Sequence, residues 1–314
     1  MGVERGTVFN LLKTGNASQD TIDRLFLALK VAEEERRSRS IIRESDEEIQ
    51  RITCPRDWDV FSIETPMLVA ANGVTYQVAK LRNTLNPDRY ARGKLYDLRH
   101  LTATTLRAQK EHLLRHSKIC ASLHGEPRLP IHFDIRRLGE DSAWWVLDEW
   151  IEGKPLSTLM VEMTTVDPSI AKVIGSEILL ALETLHSHRI VVRELAPERI
   201  IVTHDMTRCV VTDFEMAKLL DGNISVRGKW KLQTPYRAPE ISRNSPEPQS
   251  DLFSWGVIMS ELLTGDFNAD EKALSTVVKD NLIVKLLLDC RKVVADDRPK
   301  SSSDVLKIWN DWKI

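Results

Sequence analysis

The sequence predicts an α+β fold in which a strand-rich segment precedes a largely helical one. Asn72-Gly73, the dipeptide most typical of a tight hairpin, lies between two apolar segments that read as strands. Beyond Pro155, apolar residues recur mostly at helical spacing instead. With 314 residues, the chain is long enough to bury a substantial core.

The individual elements follow from these patterns in chain order. Strands are predicted at 60–63, 67–71, 74–81, 131–135 and 144–150. One helix is predicted between them at 101–123, and four more follow at 169–187, 250–263, 274–294 and 301–312. The polar segment 85–100 is predicted to be a loop that joins the hairpin to the first of these helices.

Two segments precede the strand-rich part. Residues 1–32 form two short amphipathic helical patterns separated by Gly15-Asn16, and residues 33–56 are dense in charge, as expected of a helical linker. The first segment resembles the latter part of a phage-repressor-type helix-turn-helix, which implies possible DNA contact. The alternative is a helical hairpin without DNA contact, which the few cations, Arg5 and Lys13 among them, favour.

Composition argues against several functional classes. The net charge of −2 gives no whole-chain attraction to nucleic acid or to a membrane surface. The sequence has no apolar run of membrane-spanning length and no signal-peptide core at its start. Its four cysteines are far apart and form no CxxC pair, which is typical of reduced thiols. We therefore expect a cytoplasmic protein without a membrane partner.

Acidic residues at two strand ends identify the candidate site. Glu194 follows Arg193, and 19 positions later Asp213 begins Asp213-Phe214-Glu215. With the Pro239-Glu240 pair, the run Ser250–Val257 and Asp297-Arg298-Pro299, these segments resemble the conserved motifs of protein kinases. The resemblance implies a bilobal kinase-like fold over residues 57–314, with a small lobe at 57–150 and a helical lobe at 151–314. The pairing of such a domain with a repressor-like fragment resembles bacterial proteins.

The resemblance also implies roles for individual residues. Lys80, in Val78-Ala79-Lys80, would contact the ATP phosphates, and Glu111 on the next helix would hold that lysine. The hinge segment Glu149, Trp150 and Ile151 would bind adenine through its backbone. Glu194 would be the catalytic base, and Asp213 would bind Mg²⁺.

Three departures from the kinase pattern affect phosphate and metal handling. The glycine-rich loop is replaced by Glu64-Thr65-Pro66-Met67, which includes a proline without an N–H and a carboxylate that repels phosphate. The asparagine that ligates a second Mg²⁺ is Arg199, a side chain with donors only. Glutamates replace the catalytic aspartate, at Glu194, and the glycine after Phe214, at Glu215.

These departures leave two hypotheses. The first is a pseudokinase, a regulatory module that acts through a protein partner and retains at most weak ATP binding. The second is an atypical active Ser/Thr kinase that uses ATP and Mg²⁺ to phosphorylate protein substrates. Loss at several phosphate and metal positions favours the first. Ser225 and Thr234 are candidate phosphorylation sites in either case.

Overall fold

The computed structural model describes residues 54–69, 74–139, 142–163, 165–220, 234–243 and 246–314. The chain divides into two units, Met1–Thr53 and Cys54–Ile314, and every described residue belongs to the second. The predictions for residues 1–32, for most of the 33–56 linker, for Asn72-Gly73 and for Ser225 fall outside the described residues.

The amino-terminal lobe is an antiparallel sheet with one helix against it. The sheet has the order β1-β3-β4-β6-β5, and β2 adds to β3 at its side. Its strands are β1 (Trp58–Ile63), β2 (Leu68–Val69), β3 (Thr75–Asn83), β4 (Tyr90–Asp97), β5 (His132–Leu138) and β6 (Ala143–Glu149). Helix α1 (Ala103–Ser122) follows β4 and begins at Thr102, whose hydroxyl accepts a hydrogen bond from the Thr105 N–H. The antiparallel β2–β3 pair agrees with the predicted hairpin.

Strand β4 corrects the prediction of a loop at 85–100. Its side chains alternate, so Arg92, Lys94 and Tyr96 lie on one face while Ala91, Gly93 and Leu95 lie on the other. On the first face, Lys94 and Tyr96 are buried and Arg92 is partly buried, although two of the three are cations, and the strand therefore lacks an apolar pattern in the sequence. Gly93 is needed on the opposite face, since a Cβ there would lie 2.6 Å from Leu81 Cδ1 and 2.8 Å from Trp145 Cζ3.

The carboxyl-terminal lobe is mainly helical, with short strands at its boundary with the first lobe. Its helices are α2 (Leu156–Glu162), α3 (Pro168–Ser187), α4 (Pro248–Thr264), α5 (Glu271–Val277), α6 (Asn281–Cys290) and α7 (Ser302–Asn310). Its strands are β7 (Gly153–Pro155), β8 (Ile190–Val191), β9 (Ile200–Thr203), β10 (Cys209–Val211) and β11 (Lys218–Leu219). A large apolar core joins α3, α4 and α7, and Trp255 and Trp309 are fully buried within it.

One predicted helix is divided in the structure. The segment predicted as a single helix at 274–294 contains α5 and α6. The first ends at Val277, and the side chain of Asp280 caps the second by accepting from the Leu282 N–H. The α+β prediction itself is confirmed. Within the described residues, the helices are too short or too polar to cross a bilayer.

Candidate functional site

A cavity of about 620 Å³ lies between the two lobes. This volume falls in the range of small-molecule sites, about 300–1,000 Å³. Strands β3 and β4 form its roof, and the segments after β8 and β10 form its floor. Its charged lining includes Arg92, Lys94, Glu194, Arg199, Asp213, Glu215 and Arg237.

Strand β4 supplies the cations that face the floor. Arg92 donates to both carboxylate oxygens of Asp213, at 2.9 and 3.2 Å. Lys94 Nζ lies 3.2 Å from Asp213 Oδ1 and 3.0 Å from Glu215 Oε1. Burial raises the pKa of Asp213, but Arg92 and Lys94 outweigh it and hold that pKa well below its usual range. Asp213 is therefore a fully paired carboxylate.

The predicted lysine and its glutamate are not brought together. Lys80 lies within β3, and its Nζ is 3.1 Å from Glu152 Oε1, 4.5 Å from the ring centre of Trp150 and 4.6 Å from that of Tyr90. Glu111 is half exposed on α1 and pairs with Arg107 at 3.4 Å. Lys94, on the strand that patterning missed, occupies the position expected for Lys80.

Glu215 takes the place of the expected helix carboxylate. The buried residues of α1 include no acid: they are Gln109, His112, Leu113, His116, Ile119 and Cys120. Lys94 instead contacts Glu215, which also accepts from the Tyr96 hydroxyl. Burial and Arg115 lower the pKa of His112 to about 4, so this imidazole adds no charge near neutral pH.

The candidate catalytic base is held by two arginines. Glu194 is buried, and its carboxylate accepts from Arg199 at 2.5 Å and from Arg237 at 2.9 Å. Arg199 also lies 3.4 Å from the Asp213 carbonyl oxygen, so one guanidinium connects the Glu194 and Asp213 segments. Neither Glu194 oxygen is left without a cationic partner.

The side chains as arranged do not fit Mg²⁺. This ion requires oxygen ligands in near-octahedral geometry. Both Asp213 oxygens already accept from Arg92, Lys94 adds a third cationic contact, and Arg199 offers donors only. A metal at Asp213 would have to displace these contacts and stand beside uncompensated positive charge.

In the segment that replaces the glycine-rich loop, backbone amides also form hydrogen bonds within the chain. The Glu64 and Thr65 N–H groups donate to the Val78 carbonyl oxygen at 2.9 and 3.2 Å, and Thr65 Oγ1 accepts from the Val78 N–H at 3.0 Å. Pro66 has no N–H to offer. The segment therefore closes onto β3, and these two amides are not directed at a phosphate.

The predicted hinge residues line the cavity. Glu149, Trp150 and Ile151 connect β6 to β7 along its inner wall. The N–H groups of Glu149 and Trp150 donate to Ile131 O and Tyr90 O, while that of Ile151 bonds to no other residue in the described ranges. Gly153 must follow, because a Cβ there would lie 2.2 Å from the Val202 carbonyl oxygen.

Two structural anchors agree with the sequence resemblance. The Asp251 carboxylate accepts from the Val192 and Arg193 N–H groups, each at 2.8 Å, and so fixes the backbone before Glu194. Arg298 donates to both Glu240 oxygens at 2.7 and 2.9 Å. Arg193 and Asp213 adopt left-handed backbone conformations, with φ of 71° and 66°.

Sequence reasoning missed Arg92, Lys94 and Arg237 as site residues. The signal for the first two was available as the alternation Tyr90, Arg92, Lys94, Tyr96, which marks one face of a strand. Arg237 lies in a loop, where periodicity gives no information. Only the folded chain brings it to Glu194.

Comparison with known proteins agrees with this architecture. The family described as protein kinase domain matches residues 77–309. A probable serine/threonine-protein kinase of Clostridium perfringens, CPE1738, is 31% identical over 135 residues, which is 42% of this chain and 20% of that protein. PrkC of Bacillus subtilis is 30% identical over 162 residues, covering 51% and 24%. Human serine/threonine-protein kinase PAK 4 is 31% identical over 147 residues, covering 45% and 24%.

These alignments span between 20% and 24% of the three relatives. The family match is broader, since it extends from β3 to α7 and so includes both lobes and the cavity between them. The chain belongs to the protein kinase family.

Proposed function

We propose that this chain is a pseudokinase, a kinase-fold regulatory protein that works by binding a protein partner and does not transfer phosphate. The observation that supports this best is the ion-pair network inside the cleft. Arg92, Lys94, Arg199 and Arg237 neutralise Asp213, Glu215 and Glu194. The positions that would handle metal and protons are occupied by the chain's own cations.

The electrostatics support this proposal. Phosphoryl transfer depends on metal ions that neutralise developing charge and on a base that accepts the hydroxyl proton. Asp213 would have to give up a bidentate arginine before binding a metal, and Glu194 would have to give up two arginines before accepting a proton. Separating buried ion pairs costs about 3–5 kcal/mol for each partner lost.

The alternative of an atypical active kinase rests on Lys94, Asp213 and Glu194, which all line the cleft. A phosphotransfer assay separates the two. The full chain is incubated with γ-labelled ATP, Mg²⁺ or Mn²⁺, and a panel of protein substrates, beside the Glu194→Gln variant. We expect no label above that of the variant. Label transfer that Glu194→Gln removes would contradict the proposal and establish the active kinase.

A further inference from the structure

A second cluster of ligating side chains lies next to the ion-pair network, and one of its members, Asp148, also lines the cavity. His116 Nε2 lies 3.0 Å from both Asp148 oxygens, and His132 Nδ1 lies 2.8 Å from Asp148 Oδ1. The three come from α1, β5 and β6, and their donor atoms all lie within 4.8 Å of one another. The side chains of His116 and Asp148 are 0% and 3% exposed, and that of His132 is 7% exposed.

A fourth donor stands on the same face of α1. Cys120 follows His116 by one helical turn, and its Sγ lies 3.7 Å from His116 Nε2. Around a tetrahedral Zn²⁺, with metal–nitrogen and metal–sulfur distances of about 2.0 and 2.3 Å, neighbouring nitrogen and sulfur ligands are separated by about 3.5 Å. The nitrogen–oxygen separations in such a site are about 3.3 Å, so the contacts of Asp148 with the histidines, at 2.8–3.0 Å, would open slightly. Cys120 Sγ lies outside the group of donor atoms within 4.8 Å of one another and would move towards the ion.

We propose that His116, Cys120, His132 and Asp148 form a binding site for a zinc-type transition-metal ion. The cluster contains a buried carboxylate whose contacts are two imidazoles, and burial of such a charge is costly without strong compensation. The imidazole and thiolate donors select Zn²⁺ over Mg²⁺, which prefers oxygen.

His132 supplies an independent observation. Its Nε2 atom is buried and has no hydrogen-bond partner among the described residues. The Nδ1 proton now donated to Asp148 can move to this vacant nitrogen when Nδ1 binds the metal. The Cys120 thiol loses its proton to solvent in the same step, so metal binding releases protons.

The site is coupled to the Asp213-Phe214-Glu215 segment. His116 Nδ1 accepts from the Phe214 N–H at 3.1 Å, which requires the imidazole proton to be on Nε2. Metal on Nε2 moves that proton to Nδ1, which can then no longer accept. Metal binding and the Phe214 hydrogen bond therefore exclude each other, and the ion loosens the segment that carries Asp213.

Zinc binding to the full chain tests the proposal directly. The chelator-treated protein is titrated with Zn²⁺ against a chromophoric competitor, and Mg²⁺ serves as the negative control. We expect one tight equivalent of Zn²⁺, retained in His124→Gln, an exposed histidine outside the cluster, and weakened at least about 10-fold in His132→Gln and Asp148→Asn. The proposed site would be wrong if no tight equivalent of Zn²⁺ binds, or if His132→Gln and Asp148→Asn bind Zn²⁺ as tightly as the wild type.

Cobalt binding tests whether Cys120 is a ligand, and amide exchange tests the coupling to Phe214. Bound Co²⁺ should show a thiolate charge-transfer band that Cys120→Ser removes and Cys209→Ser, a buried cysteine elsewhere, leaves in place. Zinc should accelerate exchange at the Phe214 amide in the wild type and not in His132→Gln. A band that survives Cys120→Ser would exclude the thiolate ligand, and unchanged exchange in the zinc-bound protein would exclude the coupling.

Discussion

At the scale of the residue, two lysines on one face of the sheet have opposite environments. Lys80 and Lys94 lie on the same face of the sheet, but Lys80 contacts Glu152, an exposed glutamate. Lys94 is 5% exposed and lies between two buried carboxylates. Removing a lysine therefore costs more stability where its carboxylate partners are buried, because water cannot solvate them in its place.

This contrast predicts unequal costs for the same substitution. Lys94→Met leaves Asp213 and Glu215 with one cation fewer and should lower the free energy of unfolding by about 3–5 kcal/mol. Lys80→Met, the matched control, removes an exposed ion pair and contacts with aromatic rings, and should cost about 1–2 kcal/mol. Chemical denaturation of both variants measures the difference, and equal costs would contradict the assignment of Lys94.

At the scale of the element, local chemistry decides where the helices begin. Asp280 accepts from the Leu282 N–H at 2.9 Å and stands between α5 and α6, where apolar spacing alone predicts continuity. The reason is that the apolar residues on both sides face one core and so keep the helical period across the break. The cap was visible as an aspartate followed by an asparagine, but its side-chain geometry was not.

The divided helix makes a prediction of its own. Asp280→Ala should lower the free energy of unfolding by about 0.5–2 kcal/mol, because it removes the cap of α6. Asp280→Ser keeps an oxygen acceptor at the same place and should cost much less. In one continuous helix, alanine would instead be neutral or stabilising. Thermal or urea unfolding of the two variants distinguishes these outcomes.

At the scale of the whole molecule, the sequence predicted the scaffold better than the cleft. Apolar periodicity identified most core strands and helices, and short motifs identified the segments around Glu194, Asp213 and Asp251. The partners of those residues were harder to predict. Arg92 lies 121 positions from Asp213, and Arg237 lies 43 from Glu194, so their pairing depends on how the two lobes meet.

The buried acids also predict the response of the whole fold to pH. Burial raises the pKa values of Asp213 and Glu215, but the surrounding cations outweigh it and depress both. Depressed values stabilise the fold above the unfolded pKa values of about 4, and this stability is lost as pH falls through the folded values. The contribution of these two acids should therefore change little between pH 7 and about 5 and fall below about 4. His112, whose pKa is lowered to about 4, adds a gradual loss of stability as pH falls from about 6.5 towards 4.

The Arg92→Leu variant tests whether the loss of stability in acid arises from Asp213 and its cationic partners. It removes the bidentate partner of Asp213, so the chain should be less stable at pH 7 and its stability should begin to fall at higher pH than in the wild type. Denaturation at a series of pH values measures both effects. A pH profile parallel to that of the wild type would show that the acid response arises elsewhere.

We propose that the chain's own cations, and not a loss of the kinase fold, prevent its use of nucleotide. The most direct test is calorimetric titration of ATP, with and without Mg²⁺, into the wild type and into Arg92→Ala/Arg199→Asn, which frees Asp213 and restores the asparagine ligand of active kinases. We predict no Mg²⁺-dependent binding to the wild type and clear Mg²⁺-dependent binding to the double variant. Mg²⁺-dependent binding to the wild type that the double substitution leaves unchanged would contradict the account.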